Sequence, residues 1–233
     1  NGMGIPMIPQ SGSTPVVCTG WGFADKAELQ TAVDLWVSNR NSAIAIYGQI
    51  NTWCTGNVTD MSGLFSLHPT FNDDISNWDL SNVTNTASMF LQTSFNQDIS
   101  SWDVRNVTNM SSMFEFNSSF NQPLDSWNVS SVTDMREMFQ DASAFNQPLD
   151  SWKVKQVTTM RNMFDRASAF DGNISSWDVS NVVDMGSMFQ NASVFNQNIG
   201  AWKVGSVTNM GFMFNAATLF NQDLTNWCVT NIT

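Results

Sequence analysis

Charge is scarce in this 233-residue sequence: only 12% of residues are Asp, Glu, Lys or Arg, about half the share usual in soluble domains. Nine basic against 20 acidic residues leave a net charge of −11. That balance excludes nonspecific nucleic-acid binding, which needs Lys and Arg to displace phosphate counterions. No apolar run approaches the ~20 residues of a membrane-spanning helix, so no span is expected. Histidine occurs once, as His68 before Pro69. A Ser-His-Asp or Cys-His constellation would rest on that single residue, and the expectation is a protein that is not an enzyme. Cys18, Cys54 and Cys228 have no zinc-ligand spacing. Asp73-Asp74 lacks the alternating acidic run closed by glycine of a calcium loop, and a Gly-rich phosphate loop is missing too. No metal or cofactor is expected.

What is abundant is uncharged polarity and a narrow set of aromatics: 27 Asn, ten Trp and 17 Phe against one Tyr. A few positions are being copied. Trp53, Trp78, Trp102, Trp127, Trp152, Trp177, Trp202 and Trp227 recur every 25 residues, with one single-residue deletion before Phe95. Within a unit the apolar period changes. Trp102-Asp103-Val104 alternates as a strand does, while Met110, Met113, Phe114 and Asn117 (Ala142, Ala167 and Ala192 in later units) fall at i, i+3, i+4 and i+7, the stripe of an amphipathic helix. Asn109, Asp134, Asp184 and Asn209 precede that stripe as helix caps would. Such a unit cannot bury its Trp, Met and Phe alone, so the expectation is an α/β solenoid of seven to eight coils over residues 51–233, each with one short strand and one short helix. The Asn96, Asn121, Asn146, Asn196 and Asn221 column reads as a ladder of side-chain amides between coils, interrupted by Asp171.

Residues 1–20 are Gly-, Pro- and Ser-rich and read as an extended lead-in. Residues 21–50 read as an N-terminal cap. Asp25-Lys26-Ala27-Glu28 resembles a capping box, Leu29, Ala32, Val33, Trp36 and Val37 share a helical face, and an apolar strand is expected around Ile44, Ile46 and Tyr47. The sequence stops at Thr233 after the Val-Thr part of a unit, so the array is expected to continue or its last coil to be covered by another chain. Cys54 and Cys228 lie seven coils apart, on the order of 35 Å at ~4.8 Å per rung, too far for a disulfide. The expected pair is Cys18 with Cys54, with free thiols as the alternative. Cys228 is left over, for a partner in a further C-terminal segment or in another chain.

If Trp and Val point inward, the positions after them point outward in columns. The first reads Asp79, Asp103, Asn128, Lys153, Asp178 and Lys203, and the second includes Arg105 and Lys155. These columns vary where the core columns do not, and they form the candidate binding face for a protein or glycan. Arg136, Lys153, Lys155, Arg161 and Arg166 fall within 31 positions, with Arg161 and Arg166 placed on the following helix, and suggest contact with an anion or acidic glycan; a solubilising surface is the alternative. Candidate glycosylation triplets begin at Asn57, Asn82, Asn106, Asn109, Asn117, Asn128, Asn173, Asn191 and Asn231. A Thr column (Thr84, Thr108, Thr133, Thr158, Thr208, Thr233), broken by Val183, raises an ice-binding or purely structural role as the alternative function.

The unit FNQDISSWDVRNVTNMSSMF at 95–114 resembles the bacterial surface protein repeat of BspA-like leucine-rich repeat proteins, and the match runs over roughly residues 50–233. YGQINTW at 47–53 is similar to the entry segment of such arrays. The resemblance implies a leucine-rich-repeat-like right-handed superhelix, export to the cell surface, and adhesion or recognition of a protein or glycan. It supplies no site residues to carry over.

Overall fold

A computed structural model describes residues 18–232; most of the lead-in lies outside them. The chain opens with α1 (Lys26–Ser38) and α2 (Arg40–Tyr47), followed by a single 3₁₀ turn at Ile50–Thr52. Asp25 caps α1 by accepting from the Glu28 amide at 3.1 Å, and the Glu28 carboxylate reaches back to the Ala24 amide at 2.9 Å. Leu29, Ala32, Val33 and Trp36 form its buried face. The strand expected around Ile44, Ile46 and Tyr47 is helix α2. Asn39 caps it through the Ser42 amide, and Ala43 supplies its buried contact, with Ile46 turned out.

From Trp53 onward the expected strand and helix do not form. Among the described residues there is no strand, and the only α-helices precede the repeats. The α/β solenoid of leucine-rich-repeat type is therefore overturned. Each repeat is instead a coil of consecutive turns, and coils pack one upon the next. Around Trp127 the turns are closed by amide-to-carbonyl bonds from Trp127 to Leu124, Val132 to Val129, Met138 to Met135, Ala142 to Phe139 and Phe145 to Ala142, at 3.0–3.4 Å. Every one of these residues is apolar and buried. Met135, Met138, Phe139 and Ala142 thus have helical spacing because two i→i+3 turns stand back to back.

The physical reason is the destination of the remaining amides. Those of Met135, Glu137, Phe139 and Asp141 donate to the carbonyls of Thr159, Arg161, Met163 and Asp165 on the next coil, at 2.8–3.2 Å. A helix would have consumed them internally. Turning every second amide outward puts the third residue of each such turn in the left-handed region, as at Ser112 (φ 55°), Phe116 (56°), Glu137 (59°) and Asp141 (55°). Two residues per coil carry this conformation, normally costly by about 1–2 kcal/mol outside Gly and Asn. Gly occupies it once, at Gly63 (φ 67°).

Alternation at Trp-x-Val misleads for a related reason. Coils bridge one residue at a time, Asp60 to Asn85 to Asn109 to Asp134 to Thr159 to Asp184 to Asn209, each pair parallel and isolated. The residues expected as helix caps are these bridging residues, and their side chains close Asx turns, as from Asn109 Oδ1 to the Ser111 amide at 2.9 Å.

The core is a set of aromatic columns. Phe114, Phe139, Phe164 and Phe189 stack with centroids 5.6–5.7 Å apart and planes within 6°. Trp152, Trp177 and Trp202 stack at 6.1–6.3 Å. Each repeat Trp from Trp78 to Trp227 donates Nε1–H to the carbonyl of Ile50, Ile75, Ile99, Leu124, Leu149, Ile174 or Ile199 on the preceding coil. This bond is why the column is Trp and not Phe.

α1 lies on the first coil. Gln30 Nε2 donates to the Leu64 carbonyl at 3.2 Å, Lys26 contacts Asp60 and Ser62, and Trp36 Nε1 donates to Asp73 at 2.9 Å. Arg40 pairs with the same Asp73 carboxylate at 2.6 Å and covers the Trp36 ring at 4.9 Å. Cys18 and Cys54 form a disulfide, with Cα atoms 5.5 Å apart. It holds residues 18–23 beside the coil, where Gly22 bridges Cys54.

Candidate functional site

The interior columns are occupied by packing, and the Asn and Thr columns outside them by ladders. Asn96, Asn121 and Asn146 each accept, through Oδ1, the backbone amide of the next column member at 2.8–2.9 Å, and Asn196 accepts that of Asn221 at 3.0 Å. Asp171 serves in the same place, its Oδ1 accepting the Asn196 amide at 2.8 Å. Only an acceptor is needed there, so a carboxylate substitutes without breaking the ladder. The Thr column is similarly engaged: Thr84, Thr108, Thr133 and Thr158 donate their hydroxyls to the carbonyls of Thr59, Thr84, Thr108 and Thr133.

Turns, not strands, position the outward residues after Trp. Asp79, Asp103, Asn128 and Asp178 each accept, through Oδ1, the amide two residues on, those of Ser81, Arg105, Ser130 and Ser180, at 2.9–3.3 Å. Hydrogen bonds from Ser180, side chain and amide, hold Asp178 below the usual carboxylate range, with Lys155 and Lys203 adding to this. Lys153 and Lys203 stand in the same column and cannot close that turn.

Seven of the nine basic residues sit within 4.0 Å of a carboxylate: Lys26, Arg40, Arg105, Arg136, Lys155, Arg161 and Arg166. Arg105 pairs with Asp103 of its own turn at 2.8 Å, and Lys155 with Asp178 of the next coil at 3.8 Å. Lys153 and Lys203 are exposed and have no such partner among the described residues. Of the five basic residues expected as one cluster, four are therefore neutralised locally. Arg161 and Arg166 lie on turns and not on a helix; they pair with Asp184 at 3.9 Å and with Asp141 and Asp165 at 3.5 and 3.3 Å.

Both lysines edge shallow, open depressions at equivalent places between coils. One, of about 330 Å³, is lined by Asp125, Trp127, Asn128, Ser151 and Lys153; the other, of about 340 Å³, by Trp202, Lys203, Gly205, Asn226 and Cys228. Cys228 is exposed and unpaired.

An acidic group that the sequence pattern conceals sits beside the left-handed turns. Asp165 is buried, and burial pushes its carboxyl above the usual range against the opposing Asn191 hydrogen bond and Arg166 charge. Burial likewise raises Glu115, partly offset by a Ser112 hydrogen bond, with Glu137 and Asp141 adding to the rise. Their column reads Glu115, Gln140, Asp165, Gln190 and Asn215, indistinguishable in sequence from the polar face of a helix. Among the described residues no group of three or more His, Cys, Asp or Glu is arranged to hold a metal, and no helix is long and apolar enough to cross a membrane.

These shifts set a pH dependence. Between the ordinary carboxylate value and the raised folded value, folded Asp165 keeps a proton that the unfolded chain has released. Its contribution to stability is full at or below the ordinary value and is lost as pH rises through the raised one. Asp98 and Asp178, held low by Ser100 and Ser180, act oppositely, and their contribution is lost as pH falls below about 4. The melting temperature is expected to decline from about pH 4 toward neutrality, and Asp165→Asn should flatten that decline. An unchanged slope in the variant would remove Asp165 as its source.

Over residues 36–152 and 144–233 the chain matches a family described as Mycoplasma protein of unknown function, DUF285. No curated protein and no solved structure matches it.

Proposed function

Because the chain belongs to the DUF285 family, whose description assigns no activity, we propose a function from its geometry: a non-enzymatic recognition or adhesion domain, displayed at the cell surface or secreted. Its exposed columns after Trp and Val engage an extracellular protein or glycan. The observation that carries this reading is the pair Lys153 and Lys203, the two basic residues with no carboxylate within 4.0 Å among the described residues, each edging a depression on one exposed column. In a chain of net charge −11, two exposed lysines outside the close ion pairs and two coils apart suit an extended partner bearing spaced anionic groups. Resemblance to bacterial surface protein repeats supports the location and the adhesive role. The exposed thiol of Cys228 and the outward Phe212 and Leu219 of the last described coil are the groups through which a second chain would be held. Ice binding is not favoured, because the Thr hydroxyls donate to the stack and Val183 interrupts their column.

The test is an array of extracellular proteins and acidic glycans probed at physiological and high salt. A salt-sensitive hit is expected, weakened at least tenfold by Lys153→Ala with Lys203→Ala. The melting temperature should not move, since neither lysine carries an ion pair. Binding that survives the double variant would place recognition elsewhere on the chain.

A further inference from the structure

Nine Asn-x-Ser/Thr triplets are formally equivalent as N-glycosylation acceptors, but the structure does not leave their side-chain amides equivalent. Asn117 is fully buried, donating Nδ2 to Thr93 Oγ1 at 3.2 Å and to the Phe95 carbonyl at 3.0 Å. Asn82, Asn106 and Asn231 donate Nδ2 to the carbonyls of Gly56, Ser81 and Gly205 on the preceding coil, each at 2.7 Å. Asn191 donates to Asp165 at 3.4 Å. Asn109 uses only Oδ1, accepting the Ser111 amide at 2.9 Å, and is set apart by being half-buried in the bridged column between Asn85 and Asp134. A sugar on Asn117 would occupy space that the neighbouring coil fills, and on Asn82, Asn106, Asn191 or Asn231 it would compete with the bond that the amide nitrogen makes to that coil.

Three asparagines differ. Asn57 shares the column of Asn82 and Asn106 but lies in the first coil, where no earlier repeat supplies a carbonyl; it is exposed, and its amide has no partner among the described residues. Asn128 and Asn173 are exposed and use only their oxygens. Asn128 Oδ1 accepts the Ser130 amide at 3.2 Å, while Asn173 Oδ1 accepts the Ser175 amide at 3.0 Å and its hydroxyl at 2.8 Å. In both, Nδ2 makes no hydrogen bond among the described residues.

We propose that Asn57, Asn128 and Asn173 are the N-glycan sites of this chain when it is secreted by a glycosylating cell, and that the other six triplets stay bare. The co-reactant is a lipid-linked oligosaccharide. The amide nitrogen bonds to C1 of its first sugar as the bond from C1 to the polyprenyl pyrophosphate breaks, and the amide proton leaves to a base of the transferase, with no change of oxidation state. The assignment does not depend on the recognition reading, although a sugar at Asn128 would project beside Lys153.

The experiment is secretion of the full chain from a eukaryotic cell, enzymatic removal of N-glycans in heavy-oxygen water, and mass-spectrometric mapping of the labelled Asp. Label is expected at positions 57, 128 and 173 and not at 82, 106, 109, 117, 191 or 231. The triple variant Asn57→Gln, Asn128→Gln and Asn173→Gln should migrate as the deglycosylated chain and melt where that chain melts. Label at Asn82, Asn106 or Asn117 in folded secreted protein would overturn the geometric selection. A bare residue at 57, 128 or 173, while a co-expressed glycoprotein carries its sugars, would overturn the assignment of that site.

Discussion

Replacing Trp127 by Ala is expected to destabilise the chain by about 3–5 kcal/mol. Trp127 is 3% exposed, its ring stacks on Trp102 at 6.4 Å, and its Nε1–H donates to the Ile99 carbonyl at 3.0 Å. Truncation opens a cavity mid-stack and also leaves a buried carbonyl without its donor, a loss of about 1–3 kcal/mol by itself. Trp127→Phe separates the two effects, because the ring remains while the donor goes, and it should fall between wild type and Ala. Since each coil contacts chiefly its neighbours, the damage should split the array into two segments with separate transitions. Chemical denaturation followed by tryptophan fluorescence measures both quantities. A loss below about 1 kcal/mol for the Ala variant would mean that the Trp column is not part of the core.

Asn162→Pro should be comparably severe, and it addresses the local conformation directly. Asn162 has φ 54°, and its amide donates to the Gly186 carbonyl at 2.9 Å. Proline fixes φ near −65° and has no N–H, so the variant loses both the turn and the link to the next coil, at a cost of about 3 kcal/mol or more. Gln92→Gly is the informative counterpart. Gln92 has φ 55°, is exposed, and its side chain makes no hydrogen bond among the described residues. Glycine relieves the left-handed strain and should raise stability by up to about 1 kcal/mol after the larger unfolded-state entropy of glycine is counted. Within a helix the same substitution would cost about 1 kcal/mol. The sign of this one change, read as a shift in denaturation midpoint, distinguishes the turn-built coil from the helix that the apolar spacing suggests.

The repeat, its inward columns and the Asn ladder were legible in the sequence because each follows from residue type and spacing, whereas spacing ruled out Cys54 with Cys228 but left Cys18 with Cys54 open against free thiols until the structure joined them. Trp, Met and Phe at copied positions have no stable place except a shared interior. Asn before each Gln offers an acceptor to the backbone amide of a neighbour one coil away. The secondary structure inside a coil was not legible. Met135, Met138, Phe139 and Ala142 have the same spacing in one amphipathic helix as in two successive turns, and Asp134 looks like a helix cap in either. What separates the alternatives is where the amides of Glu137 and Asp141 go, and their acceptors, the carbonyls of Arg161 and Asp165, lie a full repeat downstream. Likewise, nothing local marks Lys153 and Lys203 as unpaired, Asp165 as buried, or Asn128 as free where Asn106 is bound. The sequence determined which residues are interior and that the coils share a core. The partner of each outward backbone and side-chain group was decided only when coil met coil, because those bonds join residues about 25 positions apart and no local pattern encodes them.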